Sequence, residues 1–222
     1  MSGSYADSLV LGLGISGVSA ARLLLSEGCR VVAVDGADTE ELRKRAASLR
    51  DAGAEVVLGA ADVPAGNGHG RKFDVCIVSP GIPPDGPWMR KVEAAGVEIV
   101  SEIELGASRC RCRLLAVTGS KGKSTMVKLC AEALALGGLN TAIAGNYGIP
   151  FCDVAMTSRE LDWVVLEVSS FQLERVKDFH PHVGVLLNVQ PDHLDRRMNE
   201  HPEMDQERVD PLPIKWHRIE AL

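Results

Sequence analysis

The sequence of 222 residues has no Cys-x-x-Cys pair, no basic excess and few aromatic side chains, 4% of the total. Each shortage removes a class of function. Of six cysteines only Cys110 and Cys112 lie close together, and without a second pair or nearby histidines they lack zinc-ligand spacing. Lys and Arg number 24 against 30 Asp and Glu, a net charge of −6, so the electrostatic footprint of a nucleic-acid partner is missing. No apolar run approaches the ~18 residues of a membrane span, and Met1–Asp7 has no basic leader. These features lead us to expect a cytoplasmic protein with reduced thiols, no membrane or nucleic-acid partner, and no inferable protein partner.

What is present is the composition of a globular protein, 45% apolar and 24% charged. Short β-type runs recur at 9–11, 31–34, 55–58, 74–78, 98–100, 114–117, 141–144, 163–168 and 183–187. Helical patterns fit between them at 18–26, 40–51 and 125–136. Several runs are apolar throughout, as strands covered on both faces must be. The expected fold class is α/β: a Rossmann-like parallel-sheet domain over 1–108, then an incomplete P-loop ATPase-type α/β domain over 109–196. A charged tail with Pro202, Pro211 and Pro213 occupies 197–222. The arginines of Ser108–Arg113 are expected to be solvated linker charges.

Gly12-Leu13-Gly14-Ile15-Ser16-Gly17 follows the first strand and opens a helix, the context that a Gly-x-Gly-x-x-Gly loop requires. Gly12 permits the turn, Gly14 close approach of a phosphate, and Gly17 packing of helix on strand. Asp35, at the end of the second strand, is placed to accept from a ribose or a base. On these residues alone NAD, FAD, a UDP-sugar or a purely structural turn remain open. Ser79-Pro80-Gly81-Ile82 ends the fourth strand, where either ligand contact at Gly81 or a plain turn is compatible with the pattern.

Thr118-Gly119-Ser120-Lys121-Gly122-Lys123-Ser124-Thr125 sits between strand and helix. Val117 replaces the first glycine of the full phosphate-loop pattern, but the Gly-Lys-Ser core remains. Gly119 and Gly122 free backbone N–H groups for phosphate oxygens, Lys123 reaches the outer phosphates, and Ser124 offers a hydroxyl to Mg²⁺. Glu167, ending a later strand, is a candidate second magnesium ligand; His193 is a candidate metal or phosphate ligand; Asn146 is placed for a phosphate or for its own turn.

Taken in order, these segments resemble the Mur ligase family, in its D-glutamate-adding branch. The resemblance rests on 12–17, Ser79–Ile82, 118–125, Gly145-Asn146-Tyr147-Gly148, Leu166-Glu167-Val168-Ser169-Ser170-Phe171-Gln172-Leu173-Glu174 and Asp192-His193-Leu194-Asp195-Arg196. It implies an ATP-dependent amide ligase of peptidoglycan precursor synthesis, joining D-glutamate to UDP-N-acetylmuramoyl-L-alanine through an acyl phosphate. Gly14, Ile15, Ser16, Asp35, Gly81 and Asn146 would then contact the UDP-linked substrate. Gly119, Ser120, Lys121, Gly122, Lys123, Ser124 and Thr125 would hold ATP; Ser124, Glu167 and His193 would hold Mg²⁺; Lys123, Glu167 and His193 would be catalytic.

The sequence departs from the family at Lys121, where asparagine is usual, and after Arg196, where the usual helix with a modified lysine has no counterpart; Lys215 is displaced. The rest of the ATPase domain and the amino-acid-binding domain are also unmatched. The expectation is a truncated and inactive ligase, with an NAD(P)-dependent oxidoreductase or a non-catalytic nucleotide-binding remnant as alternatives.

Overall fold

A computed structural model describes residues 5–64, 66 and 72–190. The first half builds a five-stranded parallel sheet from β1 (Asp7–Leu11), β2 (Arg30–Val34), β3 (Glu55–Val57), β4 (Val75–Val78) and β5 (Glu98–Ser101), in the order β3-β2-β1-β4-β5. Every residue of β1 and β4 is buried, and β4 and the Leu9–Leu11 part of β1 read as continuous apolar runs for that reason. The chain steps outward from β1 to β3 and then returns to the other side of β1. This reversal opens a crevice at the carboxyl ends of β1 and β4, where open α/β sheets take ligands.

Helices α1 (Ile15–Ser26), α2 (Glu40–Asp51), α3 (Pro87–Ala94) and α4 (Glu102–Arg109) accompany this sheet. Thr39 caps α2 by accepting from the Leu42 N–H at 3.3 Å, with Glu40 and Glu41 in its first turn, so local chemistry alone makes this helix legible. The second half forms a four-stranded parallel sheet, β7-β8-β6-β9, from β6 (Arg113–Thr118), β7 (Thr141–Gly145), β8 (Trp163–Glu167) and β9 (Val183–Leu186). Its helices are α5 (Lys123–Leu136), α6 (Phe151–Thr157) and the single turn α7 (Ser170–Leu173). Because β6 lies between β8 and β9, the loop after β6 is flanked by the segments that leave the carboxyl ends of both neighbours.

The two halves share their cores. Ile103 of α4 packs with second-sheet residues such as Leu114 and Leu166, while Cys152 of α6 packs with Val10 and Val75 of the first sheet. Gly106 allows this crossing: a Cβ there would lie 2.7 Å from the Phe151 ring. Two buried glutamates of α4 fasten the junction. Glu104 accepts from the backbone N–H groups of Lys177 (2.7 Å), Asp178 (3.1 Å) and Phe179 (3.1 Å). Glu102 accepts from the Cys152 N–H at 2.6 Å, and burial pushes its carboxyl up to about 7.

Of the linker arginines, Arg111 and Arg113 are exposed, as expected of solvated charges, and Arg109 is not. Arg109 ends α4, pairs with Glu27 at 2.8 Å and lies over the Tyr5 ring; Arg113 lies over the Trp163 ring. Arg109 departs from the expectation because sequence spacing does not show a partner 82 residues away. The sequence pattern also missed α3, α4, α6 and α7, which are short and take their apolar faces from tertiary neighbours. Among the described residues no helix is long and apolar enough to cross a membrane.

Candidate functional site

The first glycine loop is held from three sides. Gly12 takes φ +84° and donates to Val34 O at 2.8 Å, while its own carbonyl accepts from Ser79 Oγ at 2.9 Å. A Cβ on Gly17 would stand 1.9 Å from Gly12 O, so glycine is obligatory there for α1 to meet the loop. Gly14 is different. No atom lies within 4 Å of its Cβ position, and its open surface leads to Ile15, 65% exposed, at the uncapped start of α1. The first turn of α1 has no acidic residue, so its N–H groups and positive dipole end face the loop, as an anionic ligand requires. Gly81 is likewise exposed with open space at its Cβ position.

Asp35 is committed to the backbone: one oxygen accepts from the Leu13 N–H at 2.7 Å and the other from the Ala37 N–H at 2.9 Å. It braces the glycine loop and turns the chain after β2. Each oxygen keeps a lone pair for a ligand donor, but the carboxylate is not an unengaged acceptor waiting for a ribose diol.

In the second half, β6 runs into residues 118–125, where Gly119 (φ +140°) and Gly122 (φ +85°) adopt conformations that L side chains resist. Gly122 starts α5 with no side-chain cap. The Lys123 ammonium bends back over the loop, donating to Gly119 O (2.6 Å) and Ser120 O (3.0 Å). Ser124, one residue further along α5, donates to Glu167 Oε2 at 2.7 Å. Glu167, 3% exposed at the end of β8, accepts at Oε1 from Asn146 Nδ2 at 2.8 Å, and its carbonyl accepts from the Asn146 N–H. Asn146 therefore meets the acid rather than presenting itself as an isolated phosphate contact. A hydroxyl and a carboxylate converging beside a phosphate loop are hard oxygen donors of the kind Mg²⁺ takes, so these residues fit that ion. Lys121 and Thr125 are exposed on the loop and first helical turn. His193, the remaining candidate, lies outside the described residues, as does the segment 197–222.

Three residues at this site were not singled out from the sequence. Asn188, after β9, accepts from the Lys121 N–H at 3.0 Å and returns a bond from Nδ2 to Lys121 O; its carbonyl accepts from the Ser120 N–H. Gln190 exchanges two 2.9 Å bonds with Ser120 Oγ. Ser79 closes the first loop. The usable signal was position: all three follow strands adjacent to a glycine loop's own strand. A small crevice is lined by Ser79, Pro80 and Ile82 on one side and Phe171 and Gln172 on the other.

The comparisons with known proteins match this architecture half by half. A family profile described as Mur ligase MurD-like, N-terminal domain matches residues 6–101, and one described as Mur ligase middle domain matches 117–206. The chain belongs to the Mur ligase family. A curated relative from Alkaliphilus metalliredigens, named UDP-N-acetylmuramoylalanine--D-glutamate ligase, is 38% identical over 188 residues, covering 85% of this chain and 41% of the relative. One of the same name from Frankia casuarinae is 42% identical over 189 residues, covering 84% and 39%. The chain thus spans about two fifths of the length of these relatives. Among solved structures, the UDP-N-acetylmuramate:L-alanyl-gamma-D-glutamyl-meso-diaminopimelate ligase from Neisseria meningitides superposes with a TM-score of 0.53 at 19% identity, covering 86% of this chain and 62% of that one. A murein peptide ligase from Psychrobacter arcticus gives 0.51 at 17%. These structures agree with the Mur ligase fold.

Proposed function

We propose that this chain carries the substrate-binding and ATP-binding parts of a ligase that joins D-glutamate to UDP-N-acetylmuramoyl-L-alanine. The observation that carries the reading is the Lys123–Ser124–Glu167 arrangement, a phosphate loop with its acid, in a Mur ligase chain whose curated relatives bear that enzyme's name. The exposed Gly14, Ile15 and Ser16 at the start of α1 would take the diphosphate, with Asp35 and Gly81 flanking the uracil side of the crevice. Lys123 would exchange its two carbonyl partners for the outer phosphates of ATP, and residues 119–125 would supply backbone N–H groups. Ser124 and Glu167 would hold Mg²⁺, which when bound neutralises phosphate charge.

In the reaction, an oxygen of the alanyl carboxylate attacks the γ-phosphorus and ADP leaves. The D-glutamate amine then attacks the acyl carbon, the bond from that carbon to the phosphate oxygen breaks, inorganic phosphate leaves and the nitrogen gives up a proton to solvent. The protein's part is orientation and charge neutralisation. The oxidoreductase alternative has no use for Lys123 and Ser124, and the engagement of both Asp35 oxygens by backbone N–H groups also weighs against it.

Calorimetry with UDP-N-acetylmuramoyl-L-alanine and with NAD separates the two. The ligase reading expects tighter binding of the UDP compound, weakened by Gly14→Val, whose side chain would enter the open space in front of the loop. Tighter binding of NAD would overturn it.

A further inference from the structure

Cys110 follows α4 with φ −62° and ψ 136°, leaving the helical conformation, and β6 begins three residues later at Arg113. Cys112 meets it in this connection: the two Sγ atoms are 3.5 Å apart. Among the described residues this is the one sulfur–sulfur contact, since Cys29, Cys76 and Cys152 are buried singly and Cys130 lies apart on α5. The segment is held in place around the pair. Arg111 N–H donates to Ser158 Oγ at 2.9 Å, and Arg113 N–H to Asp162 O at 3.1 Å. A disulfide bond is about 2.05 Å long, so bonding requires the sulfurs to close by roughly 1.5 Å.

We propose that Cys110 and Cys112 form a reversible disulfide, a redox modification site in the segment joining α4 to β6 and so the two sheets. This redox chemistry is independent of the ligase reading. The oxidant is a low-molecular-weight disulfide such as glutathione disulfide. Cys110 thiolate attacks one sulfur of it, breaking its S–S bond and releasing one thiolate. Cys112 loses its proton to solvent and attacks the Cys110 sulfur of the mixed disulfide, forming the internal bond and releasing the second thiolate. Two protein thiols are oxidised and one small disulfide is reduced to two thiols. Cys110 is assigned the first attack because burial, reinforced by the adjacent Cys110 thiol, pushes Cys112 up to about 12 and leaves it little thiolate. Closing so short a loop removes little chain entropy and strains the ring, properties of a labile bond rather than a structural one.

The test exposes the full chain to glutathione disulfide, quenches with acid and maps peptides without reduction. The expected result is loss of two of the six thiols as a Cys110–Cys112 link that dithiothreitol reverses. Cys112→Ser should stop at glutathione attached to Cys110, and Cys130→Ser should behave as wild type. A wild-type protein that keeps all six thiols, accumulates the glutathione adduct without the internal link, or links Cys130 instead would overturn the proposal. The wild-type mapping decides even if a variant folds poorly.

Discussion

Ser124 Oγ donates to Glu167 Oε2 at 2.7 Å, joining the first turn of α5 to the end of β8 across 43 residues. The contact places a hydroxyl and a carboxylate where a magnesium ion beside a phosphate loop would sit. Ser124→Ala and Glu167→Gln should each reduce the gain in ATP affinity that Mg²⁺ confers. The double variant should lose little more than either single one, because the two side chains serve one ion. Fluorescent-nucleotide titration with and without Mg²⁺ measures this; additive losses would mean that they act separately.

Lys123 and Lys121 carry the same charge in the same loop, yet only Lys123 folds over the loop carbonyls. Lys123→Ala should weaken ATP binding by more than tenfold, since a hydrogen bond to a charged group is worth about 1.5–3 kcal/mol. Lys121→Ala, an exposed position, should weaken it by less than about threefold, the level expected of a screened surface charge. Equal losses would show that net charge, rather than loop geometry, holds the phosphates.

The phosphate loop and the first glycine loop could be read from sequence because each is a local strand–turn–helix unit with its glycines at fixed offsets. Asp35 was located but its employment was not, since the bond to the Leu13 N–H depends on the β1–β2 register. Glu104 offered no signal as a residue that takes three backbone N–H groups from a loop more than 70 positions later. Asn188 and Gln190 became visible only when strand order put β9 beside β6.

Gly17→Ala tests the first loop's packing. Its new methyl would meet the backbone oxygen of Gly12 at 1.9 Å, and a backbone atom cannot swing aside as a flexible side chain can, so α1 must move away from the loop. A loss of several kcal/mol is expected from overpacking of this kind, at the upper end of roughly 1–3 kcal/mol or beyond. Urea denaturation should show it as a clear fall in midpoint, and an unchanged midpoint would contradict the geometry.

Glu102 makes stability depend on pH. Its Oε2 has no hydrogen-bond partner among the described residues, burial raises its carboxyl from 4.5 to about 7, and neighbouring Asp153 adds to the rise. In the unfolded chain the group ionises near 4.5; in the folded chain it holds its proton to about 7. Its favourable contribution is therefore complete below about 4.5 and is lost as pH rises through about 7. Glu102→Gln, which keeps an acceptor for the Cys152 N–H, should match wild type near pH 5 and exceed it near pH 8 by at most about 3 kcal/mol. Denaturation midpoints at the two pH values check this; an equal difference at both would refute the assignment.

The two glycine loops, one in each half of the chain, are assigned to two different nucleotides. Calorimetric titration of Mg²⁺·ATP, first into the protein alone and then into protein saturated with UDP-N-acetylmuramoyl-L-alanine, decides whether both are held at once. One ATP per chain is expected in both titrations, with affinity undiminished by the UDP compound. Displacement of ATP by the UDP compound, or loss of ATP stoichiometry in its presence, would show a single shared site and overturn the assignment.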